Sequence, residues 1–314
     1  MRKALITGSA SGLAVAFARK LAAQGFTIIL NYRTSKARCE ALASQLSEEF
    51  SVTVHTIQAD MTIALDIDNM MNEIEQQCGA IDTVVHSAGP FVFQRKRLTE
   101  YTALEWDHMI AGNLSSAFHL FKRAIPLMRP LGFGRIITVG FDRVEQAPGW
   151  VYRSAYAAAK VGLASLTRTI ALEEQENGIT ANMICPGDIR GKDKEADFRE
   201  DDLILPLRMP IGADLAHTIS FLVDEKSQFI TGNIIRVAGE TDVITHFDQG
   251  KRDVIDPTFL QPGSSVIVLP WRKRGVIVNR HDRHNRRSIY TVQVNEKIER
   301  FTVDQLLEVE TDDL

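Results

Sequence analysis

Tyr156 and Lys160 stand four residues apart in Ser154-Ala-Tyr-Ala-Ala-Ala-Lys160, a phenol and an ammonium in an alanine-rich run. Four residues are about one helical turn, so on a helix the two side chains share a face, with Cβ atoms roughly 5–6 Å apart. A cation at that distance favours the phenolate and lowers the phenol's pKa. Tyr156 can then give a proton to a carbonyl oxygen, or take one back, near neutral pH. Tyr32 and Lys36 repeat the spacing elsewhere in the chain. An interfacial tyrosine beside a solvated lysine would look the same, so the surroundings decide.

Those surroundings begin with Lys3-Ala-Leu-Ile-Thr7, a short apolar run, then Thr7-Gly-Ser-Ala-Ser-Gly12-Leu-Ala and an amphipathic segment that stops at Gly25. Strand, glycine loop and helix form the first unit of a dinucleotide fold, in which Gly8, Ser11, Gly12 and Leu13 bring backbone to a pyrophosphate at a helix N-terminus. Ala14 replaces the third glycine of the usual pattern. Phe26-Thr-Ile-Ile-Leu30 is the next strand, and no acid occurs between Gly25 and Lys36. An acid there would bind a ribose 2′-hydroxyl, whereas an arginine accommodates a 2′-phosphate. Arg33, with Thr34 and Ser35 beside it, therefore points to NADP(H) over NAD(H), against the plainer reading of a solvated basic loop.

The alternation continues. A helix over Ser35–Phe50, a strand over Val52–Ile57 ending in Asp60-Met61, a helix over Ile63–Cys78 and a strand over Ile81–Val85 ending in His86-Ser-Ala-Gly89 imply a parallel sheet covered on both faces. A long helical pattern from Thr102 to about Met128 opens on the capping box Thr102-Ala-Leu-Glu105. Gly112 and Asn113 weaken its middle, which hints at a local job for backbone or side chain. Gly134–Val139 is the fifth strand, and the helix carrying Tyr156 runs on to about Asn177.

The order of motifs resembles the short-chain dehydrogenase/reductase family over about residues 1–245. It rests on Thr7-Gly-x-x-x-Gly12, Asp60, His86-Ser-Ala-Gly89 in place of the family's NNAG, Asn113, Tyr156-x-x-x-Lys160, Pro186-Gly187 and a closing Phe229-to-Gly239 segment. The resemblance implies a Rossmann-type doubly wound α/β sheet. It implies that Tyr156 is the acid/base, that Lys160 lowers its pKa and holds the nicotinamide ribose, and that Asn113 supports a water relay. Asp60 and Met61 would meet the adenine, and Ser87, Ala88, Gly89, Pro186, Gly187 and Ile189 would line the cofactor. A homodimer or homotetramer is implied as well, through the helices of Asn113 and Tyr156.

Two departures stand out. The family's catalytic serine falls at the end of the fifth strand, which here reads Thr138-Val-Gly-Phe-Asp142-Arg143. Counting forward from Gly134 puts Phe141 in its place, and counting back from Tyr156 puts Arg143 there. Asp142 lies between them and could hold substrate or share a proton with Tyr156, as in pteridine reductases, or be a turn residue. After Pro186-Gly187, Gly191 stands where a threonine usually grips the carboxamide. The substrate-covering segment Lys192–Asp202 is unusually charged, a pattern that is most often a solvated face.

Beyond Gly239 the pattern changes. Asp248–Pro257 reads as a linker, and 258–314 as a second domain after a first over 1–250. Four short β runs (Ser265–Leu269, Gly275–Asn279, Ser288–Val294, Glu299–Val303), then Asp304–Leu307, suggest a small all-β, SH3-like barrel. Arg272, Lys273, Arg274, Arg280, Arg283, Arg286 and Arg287 cluster there against Asp282 alone. An acidic protein such as an acyl carrier protein, RNA, or no partner at all would fit such a patch.

Global features set bounds rather than a function. The chain has 314 residues, a net charge of -4, 45% hydrophobic and 24% charged residues. That is an ordinary globular composition, without a bias toward nucleic acid or membrane. Cys39, Cys78 and Cys185 lack metal or CxxC spacing, so no metal site is expected and the thiols suit the cytoplasm. No apolar run approaches the ~20 residues of a spanning helix, and the first strand begins too early for a signal peptide. The leading expectation is an NADP(H)-dependent reductase of a small-molecule or carrier-bound carbonyl, close to 3-oxoacyl-acyl-carrier-protein reductases. The alternatives are a pteridine-reductase-like enzyme with Asp142 in place of the catalytic serine, and a non-catalytic nucleotide-binding or scaffold protein.

Overall fold

The computed structural model describes residues 2–91, 96–198, 210–239, 244, 265–268, 273–283, 286–302 and 306–308. The chain divides into two compact units, residues 1–243 and 244–314.

The first unit is built on seven strands: β1 (Lys3–Thr7), β2 (Thr27–Tyr32), β3 (Val54–Gln58), β4 (Thr83–His86), β5 (Gly134–Val139), β6 (Ile179–Pro186) and β7 (Ile234–Val237). All pair in parallel, in the order β3-β2-β1-β4-β5-β6-β7. Parallel strands need crossovers, and the helices that make them cover both faces, so β2 and β5 are buried at every position. One face packs on α1 (Leu13–Ala23), α2 (Lys36–Phe50) and α7 (Gly212–Val223), through Phe17, Leu21, Leu42, Leu46, Leu215 and Ile219 among others. On the other side α3 (Ala64–Cys78) packs on α5 (Ser116–Met128), and α6 (Ser154–Glu173) on α4 (Ala103–Ile110). This is a doubly wound Rossmann-type sheet. Its order reverses at β1, which pairs with β2 on one side and β4 on the other. Ligands of such sheets bind at that switch point, outside the carboxyl ends of the strands.

The long pattern after Thr102 is a single helical path with a defect. Thr102 Oγ1 accepts from Glu105 N–H at 3.2 Å, and Glu105 returns a bond to the Thr102 N–H at 2.9 Å. α4 then passes into α5 through a π turn over Ala111–Ser115. The extra residue in that turn falls where Gly112 and Asn113 weaken the α-helix, and π turns concentrate at functional sites. β6, β7 and α7 complete the sheet beyond the elements the sequence pattern placed.

In the second unit β8 (Ser265–Val268), β9 (Lys273–Arg283), β10 (Arg286–Val294), β11 (Lys297–Thr302) and β12 (Leu306–Glu308) form an antiparallel sheet, ordered β11-β10-β9-β8-β12. Ile277, Tyr290, Val292, Val294 and Phe301 make its core. The segment after the fourth expected run is a fifth strand, paired back on β8. Closure into a barrel would join the two edge strands, β11 and β12, which do not pair among the described residues. The expected linker Asp248–Pro257 and the basic residue Arg272 lie outside the described residues. Among those described, no helix is long and apolar enough to cross a membrane.

Candidate active site

The loop after β1 is shaped by the end of β2. Asn31 Oδ1 accepts from Gly8 N–H at 3.1 Å, its amide nitrogen donates to Ala59 O at 3.1 Å, and its carbonyl accepts from Ser9 N–H and Ser9 Oγ. One side chain thus ties the ends of three strands together. Gly8 has φ +68°, and a Cβ there would stand 3.0 Å from Ala88 Cα, so only glycine lets the β1 and β4 loops approach this closely. Ser11, Gly12 and Leu13 follow at the start of α1. Arg33, Thr34 and Ser35 are exposed past β2. Arg33 lies 4.0 Å from the Asp60 carboxylate, which also accepts from the Thr62 N–H and hydroxyl at 2.9 and 2.8 Å. Burial alone would raise the Asp60 pKa, but the Thr62 bonds and the Arg33 charge outweigh it and lower it.

His86 ends β4 at the place of the family's first asparagine and sits in a chain of buried hydrogen bonds. Ser116 Oγ donates to Gly112 O at 2.8 Å, so it accepts from His86 Nε2, 3.1 Å away. That makes Nδ1 the acceptor for the Thr7 hydroxyl at 3.0 Å, and Thr7 Oγ1 in turn accepts from Ser87 N–H and Ala88 N–H. Burial, with the Lys160 charge adding to it, pushes the His86 pKa down to about 3, so the imidazole is neutral. The network locks the backbone of Ser87 and Ala88 to β1 and to the π turn. His86→Leu should leave buried hydroxyls unpaired and lower stability by about 2–4 kcal/mol, read as a fall in melting temperature. An unchanged melting temperature would show that the network carries no weight.

Asn113, on the π turn, donates from Nδ2 to Pro90 O and Met109 O at 3.0 and 3.1 Å. Its Oδ1 is buried with no hydrogen-bond partner and lies against Gly89, where any Cβ would collide with it.

Tyr156 and Lys160 lie on the buried face of α6, as their spacing requires. The Tyr156 ring is walled by aromatic rings: Phe91 at 5.0 Å, Trp150 at 6.0 Å and Phe141 at 6.2 Å between centroids. Arg153, itself buried, stacks over Phe91 at 4.5 Å and Trp150 at 5.6 Å. The phenol does not have the lowered pKa that the spacing suggests. Burial raises it, and the charge that opposes burial is Arg153's. Lys160 Nζ instead donates to Val139 O at 2.8 Å, and burial pushes its pKa down to about 8.

Phe141, past the end of β5, presents its ring to Tyr156 and Trp150. Asp142 points elsewhere. Its fully buried carboxylate is held by both Arg236 Nε and Nη2 from β7. In this structure the Asp142 carboxylate is thus engaged in an ion pair with Arg236. Pro186, Gly187 and Ile189 follow β6, with Ile189 buried.

The parallel sheet therefore gathers the residues singled out by sequence at the carboxyl ends of β1 to β6. Asn31, His86, Phe91, Trp150, Arg153 and Arg236 also shape the crevice. They carry no local spacing signal, and only the His86 departure from NNAG marks one of them. The crevice fits a dinucleotide on two observations: Asn113 Oδ1 is a buried polar atom with no hydrogen-bond partner, and an anionic group, the Glu195 carboxylate, accepts from Gly12 N–H at 2.8 Å.

A doubly wound sheet with this cradle and a Tyr-x-x-x-Lys helix defines a nicotinamide-dependent oxidoreductase. The sequence profile described as Enoyl-(Acyl carrier protein) reductase matches residues 8–239. An oxidoreductase of Bacillus subtilis, YtkK, is 45% identical over 253 residues, 78% of this chain and 98% of its own. The 3-oxoacyl-[acyl-carrier-protein] reductase FabG of Staphylococcus aureus is 32% identical, over 76% of this chain and 97% of its own. A D-beta-hydroxybutyrate dehydrogenase of Rhizobium meliloti is 40% identical over 190 residues, 59% of this chain and 70% of its own. A solved chain from Bacillus thuringiensis, described as a 3-oxoacyl-reductase, superposes with a TM-score of 0.73 at 46% identity, over 78% of this chain and 99% of its own. The chain belongs to the short-chain dehydrogenase/reductase family and is an oxidoreductase acting on CH–OH or C=O groups.

Proposed function

We propose that the protein is an NADPH-dependent reductase of a 3-oxoacyl group, with Tyr156 as the proton donor. The observation that carries this is the Tyr156 environment: a buried phenol, its pKa raised, beside a cation and at the carboxyl ends of the strands. A protonated phenol so placed can donate to a carbonyl oxygen. The chemical class comes from the relatives. FabG and the hydroxybutyrate dehydrogenase are named for substrates that share an oxygen at the third carbon of an acyl chain.

When bound, NADPH supplies the hydride. The chain's own residues do the rest. Tyr156 gives its hydroxyl proton to the carbonyl oxygen, and Arg153 steadies the phenolate that remains. Lys160 turns from Val139 O to the nicotinamide ribose. The wall of Phe91, Phe141 and Trp150 keeps water from the reacting centre, and Asn113 offers Oδ1 to a water leading to Lys160. Steady NADPH consumption with 3-oxoacyl thioesters supports this reading. Dinucleotide binding without turnover of any 3-oxoacyl thioester or acid would replace it with the nucleotide-binding scaffold.

Arg33 binds the 2′-phosphate in this proposal. Arg33→Ala removes a charge-assisted contact that exists only with NADPH, so NADPH affinity should fall about 10–100-fold while NADH affinity holds. An equal loss for both cofactors, read by fluorescence titration, would take that role from Arg33.

The same proposal extends to assembly and compartment. Exposed Leu104, Trp106 and Phe118 on α4 and α5 suit a homo-oligomer face, and the free thiols Cys39, Cys78 and Cys185 suit the cytoplasm. In the second unit, four strands run as a meander and the fifth returns beside the first, an order that supports an SH3-like barrel. Its basic strands would then meet an acidic partner such as an acyl carrier protein.

A further inference from the structure

Glu195 follows a short 3-10 turn over Gly191–Lys194, in the charged segment after β6. Its carboxylate reaches across to the glycine loop. One oxygen, Oε1, accepts from Gly12 N–H at 2.8 Å and from Arg38 Nη2 at 2.6 Å. Arg38 belongs to the first turn of α2. The Glu195 segment is seated on α7: Ala213 N–H donates to Ala196 O at 3.2 Å, and Lys194 O lies where a Cβ on Gly212 would collide with it. This is a built contact among four elements, and its donors, a backbone N–H at a helix start and a guanidinium, are the two kinds that bind phosphate oxygens.

We propose that Arg38 is a phosphate ligand of the dinucleotide and that Glu195 is the anion it gives up when the dinucleotide binds. A phosphate oxygen placed at Oε1 inherits both donors. Two anions cannot share that position, so the segment carrying Glu195 must swing away on binding and can close again on release. Apparent affinity is then the intrinsic affinity reduced by the fraction of molecules in which Glu195 has left. The inference rests on the dinucleotide reading of the crevice, and it is independent of which carbonyl is reduced.

Fluorescence titration of the full chain with NADPH and NADH, without substrate, tests it. Glu195→Gln and Glu195→Ala should bind NADPH about 3–30-fold more tightly than wild type, because the competing charge is gone, with NADH gaining as well where the phosphate concerned is one of the diphosphate. Arg38→Gln is best read in the Glu195→Ala background, where it no longer also loosens Glu195, and should weaken NADPH by at least about tenfold. Arg38 is 57% exposed, so the change spares the core. A loss shared by NADH assigns Arg38 to the diphosphate, and a loss confined to NADPH assigns it to the 2′-phosphate; either carries the proposal. Glu195 variants no tighter than wild type, or Arg38→Gln binding both dinucleotides unchanged, overturn it. Tight binding without turnover would sink the reductase reading and leave this inference standing. Binding of neither dinucleotide by wild type and Glu195→Ala alike would remove both.

Discussion

Tyr156→Phe should lower the rate of carbonyl reduction by about 10²–10⁴-fold, the usual worth of a positioned acid, while NADPH binds nearly as before. The substitution removes one hydroxyl and keeps the ring. The contacts that hold α6 against the crevice wall, Phe91 at 5.0 Å, Trp150 at 6.0 Å and Phe141 at 6.2 Å, are contacts of that ring. The loss therefore falls on kcat, since an interaction made only in the transition state has gone. Lys160→Met should behave differently, because Lys160 is proposed to hold the ribose, and it should weaken NADPH as well. The comparison separates proton donor from cofactor ligand. Stopped-flow turnover of Tyr156→Phe within a few-fold of wild type would mean that another group supplies the proton. Arg153, the cation nearest in effect to the phenol, would then be the next residue to change.

Legibility in the sequence followed the range of the interaction. The glycine loop, the capping box at Thr102 and the Tyr156–Lys160 pair are short-range patterns, fixed by helix pitch and turn sterics, so spacing alone located them. The parallel sheet was legible because β-rich runs alternate with helical ones, although β6 and β7 show in the sequence only as motif fragments and α7 carries no such mark. The aromatic wall around Tyr156 was not legible, because Phe91 follows β4 while Phe141 and Trp150 lie between β5 and α6, and they meet only in the fold. The same holds for Glu195 and Arg38, 157 residues apart, and for Asp142 and Arg236, 94 residues apart. The phenol's pKa follows the same rule: the spacing to Lys160 shows in the sequence, whereas the burial that raises the pKa and the Arg153 charge that opposes it come only with the fold.

Arg236→Met should be the most destabilising single change in this part of the fold. Asp142 is fully buried, whereas Arg236 keeps 41% of its side chain in contact with solvent. Removing the arginine strands a carboxylate where water cannot reach it, at a cost of about 3–5 kcal/mol. For a unit of this size that is a fall of roughly 10 °C in melting temperature. Burial, with the Glu145 and Asp142 charges, raises the pKa of the neighbouring Cys185 thiol, so the pocket is already unfavourable to a second negative charge. Asp142→Ala leaves a half-exposed arginine that can turn to solvent, so it should cost clearly less. The Asp142→Asn/Arg236→Met double variant should recover most of the loss, because no charge remains to be buried. The same series separates the two roles open to Asp142. If the aspartate shares the proton with Tyr156, Asp142→Ala lowers turnover by about 10–1000-fold at temperatures where the fold is intact. The ion pair predicts turnover close to wild type there, with the loss confined to thermal stability. Equal destabilisation by Asp142→Ala and Arg236→Met would overturn the electrostatic account, since that account depends on which of the two charges is left without water.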